Sequence, residues 1–118
     1  MTLVDTSVWV DHFRRGNARL RDLLEQDGAA CHPFVVGELA CGRLKNREEI
    51  LGLLNALPQA DSAEHDEVLH LLDSHRLFGH GLGWVDLHLL ASALLAECDL
   101  WTLDRPLKRA AQRMSISA

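Results

Sequence analysis

Leu3-Val4-Asp5-Thr6-Ser7 is the stretch whose reading decides the fold. Two apolar residues read as the end of a buried strand, and an acid follows at once. Thr6 and Ser7 then offer N-cap chemistry for a helix over residues 8–14. In a parallel α/β sheet, ligands and reacting groups sit beyond the carboxyl ends of the strands. Asp5 is therefore expected to anchor a cluster of acids that holds a divalent metal, and the rest of the chain must supply the other members.

Working outward, residues 11–26 carry an apolar side of Phe13, Leu20, Leu23 and Leu24, and Gly16-Asn17 breaks the segment in two. Arg14, Arg15, Arg19 and Arg21 fall on its polar side, as a solvated face or an RNA contact. Residues 28–32 read as a second buried strand, with Pro33 opening a helix that runs from residue 34 to about residue 44. A helix over 47–55 follows, then a weak strand or plain loop at 57–60. Ser62 is a plausible N-cap for a helix over 63–77. The glycine-rich segment 78–83 has neither of the phosphate-loop spacings. The helix over 84–97 is the most apolar and should be central. Residues 100–103 form another buried strand that Asp104 ends, 105–113 a last helix, and 114–117 an edge strand. Strands alternating with helices predict an α/β fold with a parallel sheet covered on both faces. One domain spans residues 1–118, with no linker, repeat or low-complexity segment.

The composition suits this. The chain has 118 residues, 47% hydrophobic and 25% charged, as in an ordinary globular protein. No apolar run approaches the roughly 20 residues that span a bilayer, so no membrane association is expected. The N-terminus enters a strand-like segment without a basic region and apolar signal core, which predicts a cytoplasmic protein. Cys31, Cys41 and Cys98 form no C-x-x-C pair and read as small buried hydrophobes. A net charge of −5 argues against nonspecific nucleic-acid binding through a basic surface. It is compatible with a nuclease whose acids bind metal, and with a basic partner peptide.

Four acids stand in positions that oppose burial. Asp5 and Asp104 each follow a short apolar strand and project from the same sheet edge. Phe34, Glu38 and Cys41 fall within about 60° on a helix, which puts Glu38 amid an apolar face. Asp86 shares its side of a helix with Leu89, Leu90 and Ala93. A carboxylate on a core-facing stripe needs a partner. Each acid has a plainer reading: an Asx-turn for Asp5, helix capping for Asp104 before Arg105-Pro106, and an arginine pair for Glu38 or Asp86. One shared cation accounts for all four together, because crowded carboxylates repel and a hard divalent ion prefers oxygen ligands. Ser7 could hydrogen-bond a metal-bound water or cap the helix.

Other chemistries find less support. His65, His70, His75 and His80 recur every five residues, about 140° past a full turn, so they share no helix face for zinc. His32 reads as core. No G-x-S-x-G elbow occurs. Basic residues cluster at Arg43, Lys45 and Arg47 and at Arg105, Lys108, Arg109 and Arg113, as solvated faces or phosphate contacts. Trp9, Trp84 and Trp101 sit in apolar patterns and read as core.

Leu3-Val4-Asp5-Thr6-Ser7-Val8-Trp9, Gly37-Glu38-Leu39-Ala40, Trp84-Val85-Asp86 with Leu89-Leu90-Ala91-Ser92-Ala93, and Leu100-Trp101-Thr102-Leu103-Asp104 together resemble the PIN-domain endoribonuclease toxins of bacterial toxin–antitoxin operons, the VapC type. The resemblance covers essentially the whole chain. It implies a three-layer α/β/α sandwich around a parallel sheet, RNA hydrolysis dependent on Mg²⁺ or Mn²⁺, a homodimer, and inhibition by a cognate antitoxin. By motif match Asp5, Glu38, Asp86 and Asp104 take the places of the family's acidic quartet. Asp5 and Asp86 are then the direct metal ligands, with Glu38 and Asp104 binding directly or through water. Some members carry a further acid after the third or fourth; here Leu87 and Arg105-Pro106 follow.

Two other function classes stand beside this one. A signalling receiver domain also gathers acids and Mg²⁺ at strand ends, but needs a lysine at a late strand end, and Lys45 and Lys108 lie in a loop or helix. A catalytically silent interaction module would keep the acids as caps. Metal-dependent RNA cleavage separates them.

Overall fold

A computed structural model describes all residues 1–118. The elements run β1 (Thr2–Val4), α1 (Thr6–Arg15), α2 (Ala18–Glu25), β2 (Ala29–Ala30), α3 (Pro33–Cys41), α4 (Arg47–Ala56), α5 (His65–Ser74), α6 (Trp84–Leu95), β3 (Asp99–Trp101) and α7 (Arg105–Arg113). The sheet order is β2-β1-β3, all parallel. The opening stretch is thus the central strand. Leu3 pairs with Ala30 on one side and Leu100 on the other, and Leu3, Val4 and Leu100 are buried.

Successive crossovers run from β1 to β2 in one direction and return past β1 to β3 in the other. Cys31 also bridges in parallel to Gln59 outside β2, and Leu100 to Ser117 outside β3, so right-handed crossovers place α1–α4 on one face and α5–α7 on the opposite one. This is a three-layer α/β/α arrangement, and the chain reverses direction beside β1. A crevice at such a reversal, beyond the strand ends, is where this class of sheet binds ligands.

The weak strand expected at 57–60 is a single parallel bridge, Cys31 to Gln59, and the edge strand expected at 114–117 is a single bridge, Leu100 to Ser117. Pro58 has no N–H to extend a ladder. The strand expected over 100–103 spans Asp99–Trp101 instead. The Leu103 N–H is taken by the Ser7 hydroxyl at 3.0 Å, so pairing stops and Leu103 lies half-exposed.

Several helix boundaries also move. Asp5, not Thr6 or Ser7, is the N-cap of α1. Helix α3 stops at Cys41, where Gly42 turns extended. Helix α5 starts at His65 with Glu64 as N-cap, rather than after Ser62, because Glu67 reaches back to the Glu64 N–H at 2.8 Å. It ends at Ser74, and Arg76 takes a positive φ of 51°. Helix α6 ends at Leu95, with Glu97 at φ 54° and the Cys98 N–H closing on Ala93 O at 2.9 Å.

Three burial expectations change as well. Val35 and Leu39 are the buried residues of α3, so the face bearing Phe34, Glu38 and Cys41 is the open one. Cys31 is buried and Cys98 partly so, but Cys41 is exposed. Trp9 and Trp101 are core, whereas Trp84 is 38% exposed and lies edge-on to His88. No helix is long and apolar enough to cross a membrane.

Candidate active site

Three of the four acids occupy helix N-termini at the carboxyl end of the sheet. Asp5 leaves β1 as the N-cap of α1, Asp104 caps α7, and Asp86 lies in the first turn of α6. Backbone N–H groups there are unpaired within the helix, and the helix dipole favours negative charge. Asp5 Oδ2 faces the Ser7 N–H at 3.4 Å, Asp86 Oδ2 accepts from the Gly83 N–H at 2.9 Å, and Asp104 Oδ2 accepts from the Leu107 N–H at 3.1 Å. Glu38, on the open face of α3, accepts on Oε1 from the Thr6 hydroxyl at 2.8 Å. In each carboxylate one oxygen is engaged and the other has no protein donor.

Asp5 is the buried member, only 6% exposed. Its Oδ2 accepts from the Ser7 hydroxyl at 2.6 Å and the Thr102 hydroxyl at 2.7 Å. Each hydroxyl has one proton, and both are spent on Asp5. The two hydroxyl oxygens in turn accept the backbone N–H groups of Leu103 and Asp104, each at 3.0 Å. The loop after β3 is thereby tied to the loop after β1. Ser7 acts in that tie rather than as the helix cap. Thr102 was not singled out from the sequence, although a hydroxyl in an apolar run two residues before Asp104 is a usable signal.

Asp86 reports how the acids relate. Partial burial raises its carboxyl above the ordinary aspartate value of 3.8, the Gly83 N–H opposes this, and the charges of Asp5, Asp104 and Glu38 raise it further. The four acids therefore lie within electrostatic reach at one end of the sheet. No three His, Cys, Asp or Glu side chains close into a ready-made ligand shell. The core stripe expected beside Asp86 is present, since Leu89, Leu90 and Ala93 are buried and Asp86 itself is half-buried, whereas Glu38 lies exposed and not on a core stripe. Neither forms an ion pair; the one ion pair in the chain is Arg15 with Asp11.

A buried histidine follows β2 at the start of α3. His32 caps α3, accepting the Phe34 N–H on Nδ1 at 3.0 Å, while Nε2 meets Ser92 Oγ at 3.0 Å. An accepting Nδ1 places the ring proton on Nε2, which donates to Ser92.

Comparison with known proteins identifies the family. The family model described as PIN domain matches residues 2–113. The chain is 49% identical to Ribonuclease VapC32 of Mycobacterium tuberculosis, in strain CDC 1551 / Oshkosh and equally in strain ATCC 25618 / H37Rv, over 99% of this chain and 95% of the relative. The chain thus belongs to the PIN-domain family and is of the VapC type.

Proposed function

We propose that this protein is the toxin of a type II toxin–antitoxin pair, acting as a divalent-metal-dependent endoribonuclease. The kinship with proteins named ribonuclease supports RNA as substrate. The observation that carries the reading is the division of labour within each carboxylate of Asp5, Glu38, Asp86 and Asp104. One oxygen is held by the protein and the other is left without a donor. Capping and metal binding are therefore compatible uses of the same side chain.

The donor set suits Mg²⁺ or Mn²⁺. All four acids offer hard oxygen donors, and Mg²⁺ keeps several waters and takes only one or two carboxylates directly. Acids within electrostatic reach of one another that do not close into a full ligand shell meet that demand. Asp5 and Asp86 are the direct ligands; Glu38 and Asp104 bind directly or orient waters. When bound, the ion lowers the pKa of a water and neutralises charge on the phosphodiester. Ser7 and Thr102 fix Asp5 in one orientation, and Thr6 fixes Glu38. A cognate antitoxin, a homodimer and a cytoplasmic setting belong to the same proposal.

The test is cleavage of RNA with Mg²⁺, with EDTA, and by Asp5→Asn. Cleavage should require the metal, and Asp5→Asn should lose more than about 100-fold, beyond the range for an outer-shell partner. Absence of metal-dependent cleavage would favour a silent module in which the acids serve only as caps.

A further inference from the structure

Two cavities join into a groove that leads away from the acids. The first, about 170 Å³, has Thr6 and Glu38 at one end and Arg14 and Arg43 at the other. The second, about 480 Å³, continues from Phe13, Arg14, Arg43 and Leu44 to Lys45 and Asn46. The groove runs between α1 and the segment joining α3 to α4. Its floor is apolar, with Phe13 36% exposed and Leu39 and Leu44 packed toward the core.

The cations along it are free. Arg14, Arg43 and Lys45 are exposed and form neither ion pairs nor side-chain hydrogen bonds, and Asp11 is already held by Arg15. The Asn46 side chain does not cap α4. Glu48 and Glu49, in the first turn of α4, do not line the groove. On a chain of net charge −5, three unpaired cations along one channel that reaches Glu38 form a local exception.

We infer that this groove is the path of the single-stranded RNA substrate beyond the cleavage point, with Arg14, Arg43 and Lys45 on successive phosphates and Phe13 beneath the chain. The inference rests on the ribonuclease reading above. Phosphates favour a cationic channel, and an exposed aromatic on its floor offers a base a stacking surface. An acidic polypeptide would also be drawn to the cations. It would, however, meet Glu38 at the inner end, with Asp5 beyond Thr6, and no part of it would need to reach them. A phosphodiester must reach the acids to be cut.

The experiment measures binding of a short fluorescent single-stranded oligoribonucleotide to the Asp5→Asn protein with Mg²⁺ over rising KCl. Each cation removed should lower the slope of log affinity against log salt by about 0.7, so Arg14→Gln/Arg43→Gln/Lys45→Gln should lose about 2 in slope. Arg21→Gln, a control outside the groove, should keep the parent slope. All three sites are exposed, and the single variants serve should the triple variant melt early. A folded triple variant with the parent slope overturns the inference. So does a poly-glutamate peptide that binds the parent and loses its hold on the triple variant while RNA binding is unmoved. If wild-type protein with Mg²⁺ cleaves RNA but the slope is unmoved, only the strand path fails. If it cleaves none, the ribonuclease reading fails and the path with it.

Discussion

The Thr102 hydroxyl donates to Asp5 Oδ2 at 2.7 Å, joining the end of the central strand to a residue 97 positions later. The Thr102 hydroxyl oxygen also accepts the Asp104 N–H at 3.0 Å, so one side chain sets the positions of two acids. Thr102→Val keeps the shape and removes both bonds. The buried Asp5 oxygen loses a donor and the Asp104 N–H loses its acceptor, a cost of about 1–3 kcal/mol. If Asp5 is a metal ligand, activity should also fall roughly 10–100-fold, as for other outer-shell partners. Thr102→Ser, which restores the hydroxyl, should recover most of both in denaturant melts and cleavage rates. Unchanged activity in Thr102→Val would show that Asp5 needs no such hold.

Asp86 offers a test in the absence of metal. Its folded carboxyl is raised above the ordinary 3.8, first by burial and then by Asp5, Asp104 and Glu38. A raised acid binds its proton more tightly folded than unfolded. The ionised form therefore penalises folding, fully above the folded pKa and not at all below about 3.8. In EDTA, Asp86→Asn should match or exceed wild-type stability at neutral pH. That advantage should shrink as the pH falls toward 4. Clear destabilisation at neutral pH, measured by urea unfolding, would mean that the negative charge itself holds the fold, beyond the Gly83 bond that an asparagine oxygen can keep.

The same repulsion makes metal a stabiliser. Mg²⁺ should raise the melting temperature of wild-type protein, by an amount equivalent to about 2.7 kcal/mol at a hundred times its dissociation constant. Asp5→Asn should lose most of that shift. Equal shifts in the two proteins would place the ion elsewhere.

How far these relations were legible depends on what local sequence encodes. The end of a buried strand is marked by apolar residues meeting an acid, so Leu3-Val4-Asp5 could be placed at the carboxyl edge of a sheet. Helical spacing shows which residues share a face, but not which face the core takes. Spacing therefore groups Glu38 with Phe34 and Cys41, as the structure does, but that face is the open one. Single bridges at Gln59 and Ser117 carry no periodic signal at all. Thr102 reads as one β-branched residue among strand formers, and its role exists only through Asp5 and Asp104, which meet it after folding. From sequence, capping and metal binding read as alternatives for Asp104, yet a carboxylate has two oxygens and can serve both.

The last prediction concerns acid stability and turns on His32. Burial lowers its pKa from 6.5 to about 4, with a smaller contribution from the charge of His88. No solvent reaches the ring, its Nδ1 accepts the Phe34 N–H, and its Nε2 meets Ser92, so protonation would break the α3 cap. The unfolded chain takes up that proton first, near pH 6.5. The stability held by neutral His32 is therefore complete above 6.5 and is lost as the pH falls toward 4. A shift of this size corresponds to about 3 kcal/mol. His32→Asn retains a side-chain oxygen to cap α3 and cannot titrate. It should be less stable than wild type at pH 7, having lost ring packing and the Ser92 bond. Its stability should nonetheless decline less between pH 6.5 and 4, by about the same 3 kcal/mol. Urea unfolding across that range measures the difference, and imidazole NMR shifts give the pKa directly. Parallel pH profiles for the two proteins, or a His32 resonance titrating near 6.5, would show that the ring stays open to water.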